Sequence, residues 1–477
     1  MTHWQPVIGI EVHVQLRTGR KLFCADRAVF GAEPNTHVCP VCLGLPGALP
    51  TLDAQAVRLA IRAGLALGCT IHGRSLWARK HYFYPDQPKG YQITQFDRPL
   101  ATGGGVDFVG AEGASRVRIH RVHMEEDAGK SVHDRVSGAT AIDLNRAGTP
   151  LVEIVTEPDL HDPGDVRAFL QALKRILEYA DVSDCSMEEG SLRADANVSI
   201  RPVGESVLNA KTEIKNVNSF AGIERALALE ISRQIEVVDG GGEIRPETLL
   251  WDDHRGTLRA MRSKEESHDY RYFPEPDLPP VRLGPETIQT ERMALPELPR
   301  ARAARFRQDF ELSAYAADVL TQTRNGAEYF EEVARGCGDA KEAAKWVMGP
   351  IQSLMKECGA DPAEFGIRPP QLVEVIELVR EGRISDAAAG TVFRVMLEGS
   401  KTAADVVEEL GLEQVRDPDV LRAWVEEVVE AHPEEVDRYR EGESRLLGFF
   451  VGRVMGRSGG RADPRRVNQL LRSRLSV

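Results

Sequence analysis

Residues Val7 to Leu16 alternate: Ile8, Ile10, Val12, Val14 and Leu16 on one side, Gly9, Glu11, His13 and Gln15 on the other. This is the period of a half-buried strand, and it aims Glu11 and His13 the same way, about 7 Å apart. Leu192 to Arg201 repeats the pattern, with Arg193, Asp195, Asn197, Ser199 and Arg201 on the polar side, and Ala210 to Asn216 groups Lys211, Glu213 and Lys215. In Arg116 to Glu126 the apolar phase slips near His120 and Arg121. A bulge there, a feature common beside active sites, would put His123 and Glu125 on the polar side, with Glu126 and Asp127 at the strand end. In Thr149 to Asp159, Glu153 sits inside the run Leu151, Val152, Ile154, Val155, where a carboxylate is costly unless paired or bound to a cation. Glu11, His13, Glu125, Glu126, Glu153 and Asp195 together offer hard oxygen ligands and one nitrogen, a set suited to Mg²⁺ or Mn²⁺ more than Zn²⁺. Flanking Lys80, Lys89, Arg193, Arg201, Lys211 and Lys215 would complete what phosphoryl transfer from ATP requires. For any one strand the plain alternative is a solvated ionic face; the acid buried in an apolar run and the phase slip argue against it.

The elements that must hold these groups lie in the first of three zones. Residues 1–295 mix strands with a few helices; a proline-marked stretch from Phe273 to Pro299 reads as an extended connector. Helical periodicity then predicts one helical domain over 296–405 and a second over 406–477. No common phosphate loop is present: Gly129-Lys130-Ser131 has Met124 where the loop needs glycine, and Gly103-Gly104-Gly105 reads as a turn. An ATP site must therefore be built on the sheet. The 477 residues, 42% hydrophobic and 28% charged, fit a globular protein of about three domains, with no stretch of about 18 apolar residues to cross a membrane. The first residues lack a signal-peptide pattern, so a cytoplasmic location is expected. Seven cysteines, unevenly spaced, fit free thiols or a small metal site better than a disulfide framework.

Several long motifs carry a resemblance: VIGIEVHVQL (Val7 to Leu16), KHYFYPDQPKGYQITQFD (Lys80 to Asp97), RVHMEEDAGKS (Arg121 to Ser131), DLNRAGTPLVEIVTEPD (Asp143 to Asp159), MEEGSLRADANVS (Met187 to Ser199), TEIKNVNSF (Thr212 to Phe220), DYRYFPEPD (Asp269 to Asp277) and VNQLL (Val467 to Leu471). Essentially end to end, the sequence resembles the B subunits of the glutamine-dependent aspartyl/glutamyl-tRNA amidotransferases, the GatB family. The resemblance implies an α+β fold: a cradle domain with a mainly antiparallel sheet, related to glutamine synthetase and the guanido kinases, followed by two all-α domains. It implies a ligase that uses ATP and Mg²⁺ to phosphorylate the side-chain carboxylate of Asp or Glu mischarged on tRNA(Asn) or tRNA(Gln), after which ammonia displaces phosphate. The family's metal positions fall on His13, Glu126, Glu153 and Asp195, with Glu11 and Glu125 adjacent; Lys80, Lys89, Arg193, Lys211 and Lys215 are the basic residues expected to serve the reaction. Ammonia would come from elsewhere, because position 2 is Thr2 and no amidase-type serine pattern is present. The resemblance assigns glutamine hydrolysis to a separate amidase (A) subunit, braced by a small (C) subunit, in a heterotrimer with no membrane association. A scaffold that only presents tRNA, its carboxylates structural, is the alternative of a different class.

The family's Cys-x-Cys and Cys-x-x-Cys pattern is altered here to Cys24, Asp26, Cys39 and Cys42. Those four residues would form a structural Zn²⁺ site, or else a vestigial loop held by Gly44, Pro46 and Gly47. Cys69 stands outside the pattern; Cys185, Cys337 and Cys358 read as core thiols. Tyr82, Phe83, Tyr84 and Tyr91, bracketed by Arg79, Lys80 and Lys89, would stack on a base or pack as a loop, and Tyr270, Arg271, Tyr272 and Phe273 would line the cradle or anchor the connector.

The net charge of −13 taken whole argues against a nucleic-acid partner. Its distribution does not. Asp405 to Glu443 holds 14 acidic and 4 basic residues, whereas Ser444 to Val477 holds 8 arginines and one acid, Asp463. Helices are expected at Val420 to Ala431 and Leu446 to Met455, a break at Ser458-Gly459-Gly460, and a last helix opened by Asp463 and Pro464. The resemblance assigns this tail to tRNA, through Arg453, Arg457, Arg461, Arg465, Arg466 and Asn468; contacts from arginine to phosphate supply affinity without reading sequence.

Overall fold

A computed structural model describes residues 3–136, 138–261, 270–358, 366–399 and 401–475. The chain divides into two compact units, Met1–Pro299 and Arg300–Val477: mixed α and β in the first, helical in the second.

Among the described residues the first unit is built on a 13-stranded sheet. Strand Trp4–Gln15 lies at its centre, between Pro150–Thr156 and Leu192–Pro202, antiparallel to both. Gly113–Glu126 flanks the Pro150–Thr156 strand, and Thr212–Lys215 flanks Leu192–Pro202. One sheet face is apolar, as the alternation predicts: Ile8, Ile10, Val12 and Val14 are buried with Val122, Met124, Val152, Ile154, Ala194, Ala196 and Val198. Helices Ala54–Ala66, Pro163–Tyr179 and Phe220–Asp239 contribute to the same core. Their starts are set by side-chain caps: Asp53 accepts from Ala56 N at 2.8 Å, Asp162 from Gly164 N at 2.7 Å and Ser219 from Gly222 N at 3.0 Å, each satisfying an amide the helix leaves unpaired.

The phase slip is a bulge. Val155 pairs with Arg121 and Thr156 with Ile119, so His120 has no partner across the ladder. That extra residue keeps Val117, Ile119, Val122 and Met124 all in the core. The glycine turn is also present: Gly104 has φ of +90°, and a Cβ there would lie 2.5 Å from Leu67 O, so the position requires glycine. Lys130 and Ser131 open strand Lys130–Val136, not a helix as a phosphate loop needs.

The connector expectation is corrected. Phe273 pairs with Arg79, Val281 with Ser75, and Pro285 opens helix Pro285–Ala294. Proline is favoured in the first helical turn, where its missing N–H is no loss, so a proline-rich stretch here marks a helix start as well as extended chain. From that helix Glu291, 1% exposed, takes Arg58 Nε at 2.6 Å and Arg62 Nη2 at 2.8 Å. Burial works against its charge, but the two arginine hydrogen bonds outweigh it and hold the carboxyl below its ordinary range. With the folded pKa below the unfolded one, the pair's contribution is full above about pH 4.3 and is lost as pH falls toward the folded value. Glu291→Gln is expected to destabilise this unit by about 1–3 kcal/mol at pH 7 and to flatten the acid limb of its stability curve, which urea titrations at several pH values would show.

In the second unit, residues from Phe306 to Val407 form one buried cluster and residues from Leu421 to Leu475 another. Helices Pro418–Ala431, Leu446–Arg457 and Pro464–Leu475 appear where the pattern places them. Asp463 Oδ1 accepts from Arg465 N at 2.9 Å and Arg466 N at 3.2 Å, the expected cap. Cys185 and Cys337 are buried; the side chain of Cys358 lies outside the described residues. Among the described residues no helix is long and apolar enough to cross a membrane.

Candidate active site

The polar face of the sheet carries the chemistry. Arg193 lies opposite His13, His13 opposite Glu153, and Glu153 opposite His123, a row across four strands. One step away, Asp195 lies opposite Glu11. His13 Nδ1 is 3.1 Å from Glu125 Oε1 and 3.9 Å from Glu153 Oε2, while His123 Nε2 is 3.3 Å from Glu153 Oε2. One ligand atom from each of His13, Glu125 and Glu153 lies within 4.8 Å of the others. Glu125 and Glu153 are buried and His13 is partly open, so the group faces outward from a protein floor.

The electrostatics are those of crowded acids. Burial, then repulsion from Glu153 and Glu213, raises Glu11 above its ordinary pKa despite Lys215. Burial also opposes the charge on Glu125, but hydrogen bonds from His123 and His13 hold it well below the ordinary range. Glu153 is likewise lowered: burial is outweighed by His123. His123 itself is raised to about 9, the facing carboxylates overcoming its burial. Two carboxylates and an imidazole form a donor set a divalent cation fits, and such an ion would relieve this repulsion.

The basic residues divide. Lys215 Nζ lies 2.7 Å from Asp195 and 2.9 Å from Glu213. Arg193 Nη2 reaches Asp127 at 2.8 Å, and its Nε is buried with no protein partner among the described residues. Lys80 is 4.8 Å from the Tyr270 ring centroid; burial disfavours its charge, yet Glu125 and the surrounding oxygens raise its pKa. Lys89 pairs instead with Glu126, whose Oε1 also accepts from Ile93 N at 2.8 Å. Glu126 has the opposite parity to Glu125, so the structure does not bring it into the His13 group. Lys211 precedes its strand and is exposed, and Arg201 bonds Gln5 at 3.1 Å. His123, Asp127 and Glu213 belong to this face although they were not among the expected site residues. Their signal was available: His123 shares parity with Glu125, and Glu213 with Lys215.

Tyr270 and Tyr272 stand beside this face, Tyr272 stacked on Phe96 at 4.1 Å. Phe83 and Tyr84 are exposed. Cys24, Asp26, Cys39 and Cys42 converge, one ligand atom from each within 4.8 Å of the others. Asp26 Oδ2 lies 3.4 Å from Cys42 Sγ and 3.8 Å from Cys24 Sγ, so its carboxylate is the fourth donor of the group. A hydrogen bond from Cys24 lowers the Cys42 thiol to about 6. Cys69, its thiol pushed up to about 12 by burial, is not part of the group.

In the tail, Arg453, Arg457, Arg461, Arg465 and Arg466 are exposed while Val454, Val467 and Leu471 are buried. Arg457 Nε pairs with Glu427 at 2.9 Å, and Arg453 lies 5.1 Å over the Phe449 ring. Asn468 is partly buried, and its Oδ1 has no partner among the described residues.

Two family profiles match the chain: the GatB/GatE catalytic domain over residues 6–289 and the GatB domain over residues 328–475. The first covers the sheet and its polar face, the second most of the helical unit with its arginine tail. Similar proteins include the B subunit of the aspartyl/glutamyl-tRNA(Asn/Gln) amidotransferase of Carboxydothermus hydrogenoformans, 48% identical over 100% of both chains. Those of Myxococcus xanthus (47% identical, 100% of this chain and 99% of the relative) and Chlorobium chlorochromatii (49%, 99% of each) carry the same name. At that identity over the full length, the chain belongs to the family of aspartyl/glutamyl-tRNA(Asn/Gln) amidotransferase B subunits.

Proposed function

We propose that this chain is the subunit that, within a multi-subunit amidotransferase, activates and amidates the side chain of Asp on tRNA(Asn) or Glu on tRNA(Gln). The observation that carries the reading is the convergence of His13, Glu125 and Glu153 on one sheet face, flanked by Lys80, Arg193 and Lys215. ATP donates its terminal phosphoryl group to a carboxylate oxygen and leaves as ADP. Ammonia then attacks the carbonyl carbon, phosphate departs, and the nitrogen loses a proton. A carboxylate has no adequate leaving group for an amine, and the acyl phosphate supplies one.

The residues divide the work by charge. Glu11, His13, Glu125, Glu153 and Asp195 would hold Mg²⁺, which neutralises phosphate oxygens when bound. Lys80, Arg193 and Lys215 attract and orient phosphate oxygens, with His123 steadying Glu153 from the neighbouring strand. Glu126, locked to Lys89, fixes the 89–93 segment against the Gly113–Glu126 strand. Residues 1–295 would form the cradle of the glutamine synthetase and guanido kinase kind, 296–405 a helical spacer, and 406–477 the grip on tRNA, in a cytoplasmic heterotrimer with the amidase (A) and small (C) subunits.

Reconstitution with those partners, supplied in turn with each mischarged tRNA, ATP and glutamine, tests the reading: amidation of one or both is expected, and failure with both would overturn it. A tRNA-presenting scaffold is separated by Asp195→Ala and Glu153→Gln, because only the scaffold lets tRNA-dependent ATP cleavage survive both. Cys24, Asp26, Cys39 and Cys42 are proposed to bind structural zinc. Purified without chelator, the chain is expected to hold about one zinc, and Cys42→Ser to lose it; less than about half an equivalent in the unaltered chain would leave the group a vestigial loop.

A further inference from the structure

Asp127 lies among the acids of the polar face but differs from them in what its oxygens do. Its side chain is only 3% exposed, and both oxygens are engaged. Oδ1 accepts from Ala128 N at 2.9 Å; Oδ2 accepts from Gln15 Nε2 at 3.0 Å and pairs with Arg193 Nη2 at 2.8 Å. A carboxylate so buried and so occupied is a poor ligand for a cation, and Asp127 stands outside the His13, Glu125 and Glu153 group. Its place is fixed from the backbone outward. Asp127 N donates to Thr149 O at 2.8 Å, and Gly148 N to Asp127 O at 2.9 Å. Arg146 holds the turn beyond it, Nε donating to Ala128 O at 3.0 Å and Nη2 to Gly129 O at 2.7 Å. Gly129 N in turn donates to Asp86 O at 2.8 Å.

Arg193 is the group this anchor serves. It stands opposite His13 on the polar face, and among the described residues Asp127 is its one side-chain partner. Burial opposes its charge; Asp127 most strongly, then Glu125 and Asp195, sustain it. Its Nε is sealed in without a partner, while the side chain as a whole keeps 34% of its surface open. A buried N–H left unpaired costs about 1–3 kcal/mol, so this guanidinium is not set where its own hydrogen bonds would best be met. Departures of that kind are retained where function requires them. A guanidinium is a planar fork, and a carboxylate can hold one nitrogen while another points elsewhere. The ammonium of a lysine, a single point of charge, cannot divide itself in that way.

We propose that Asp127 is a positioning residue for the reaction: it holds one nitrogen of Arg193 and so aims the rest of the fork at the phosphoryl oxygens beside His13, Glu125 and Glu153. The inference rests on the phosphoryl-transfer reading above. The test uses the complex reconstituted with both partner subunits and follows tRNA-dependent ATP cleavage. Asp127→Asn is expected to lower kcat about 10²-fold while KM for ATP moves less than about threefold, because the aimed contact is made in the transition state. Arg193→Ala should lose at least as much. The double variant should fall no more than about twofold below Arg193→Ala alone, whereas independent sites would multiply their losses. Free guanidinium should restore Arg193→Ala at least about tenfold and the double variant less than about twofold, and methylammonium should restore neither. The comparison of the two ions on Arg193→Ala needs no change at Asp127, so it decides the matter even where Asp127→Asn does not fold. A residue that served the fold alone would not distinguish them. Multiplicative losses or full activity of Asp127→Asn would overturn the proposal. So would rescue that is absent, indifferent to Asp127 or given equally by methylammonium. With an active parent complex those outcomes leave phosphoryl transfer standing; a parent complex that cleaves no ATP removes both readings.

Discussion

Glu153→Gln is expected to lower tRNA-dependent ATP cleavage by the reconstituted complex by roughly 10²–10³-fold, with little loss of fold. Glu153 is the central acid of the polar face, within 3.3 Å of His123 and 3.9 Å of His13, and it sits in the strand between those two residues. Glutamine keeps the shape and one acceptor oxygen but removes the charge that a divalent cation needs. Two readouts should move together: the Mg²⁺ concentration giving half-maximal rate should rise, and Mn²⁺ should rescue part of the rate. The apolar neighbours Val152 and Ile154 are untouched and Glu125 still faces His123 at 3.8 Å, so thermal unfolding should fall only modestly below that of the parent. Full activity with unchanged Mg²⁺ dependence would remove Glu153 from the site.

The second large effect lies in the helical unit. Converting Arg453, Arg457, Arg461, Arg465 and Arg466 together to glutamine is expected to weaken tRNA binding by roughly 10²–10³-fold at low salt. The plot of log affinity against log salt should become shallower by about one unit for each phosphate the tail no longer neutralises. These side chains are exposed while Val454, Val467 and Leu471 hold the core, so substitution is a cleaner test than deletion beyond about residue 440, which would unroof Leu421 and Val425. Arg457 should contribute least, because Glu427 already accompanies it at 2.9 Å and phosphate must displace that carboxylate. An isotherm unchanged across salt would separate the tail from tRNA.

What could be read in the sequence was read from parity. A period of two places Glu11 with His13, Arg193 with Asp195 and Glu213 with Lys215, and a single phase slip locates the bulge at His120. Parity also limits the reading. Glu125 and Glu126 are neighbours in the chain and therefore face opposite ways, and no local pattern shows that Lys89 arrives from a loop to meet Glu126. Lys211 has the right phase but stands one residue outside its strand. Pairing over long distances is silent in the same way: Arg58 and Glu291 are separated by 233 positions, and nothing near either names the other. Proline misled between Phe273 and Pro299 because it serves both extended chain and the first turn of a helix. Cys24, Asp26, Cys39 and Cys42 were legible through spacing, whereas the pairing of Asp127 with Arg193 depends on the order in which four strands lie in the sheet.

The His120 bulge leaves two residues, His120 and Arg121, between the core pairs Val117 with Ile119 and Val122 with Met124 of the Gly113–Glu126 strand, where strict alternation has one. A one-codon deletion of His120 would restore strict alternation with all four core residues still on one face, so both halves of the strand would keep their register. Deleting His123 would instead exchange the faces beyond it: Met124 would take the place of His123 on the polar face and the Glu125 carboxylate would be driven into the core. A reading-frame-preserving deletion is therefore expected to be tolerated at His120 and to act as a null allele three codons later, while substitutions of His120 itself, whose ring is exposed, would pass nearly unnoticed.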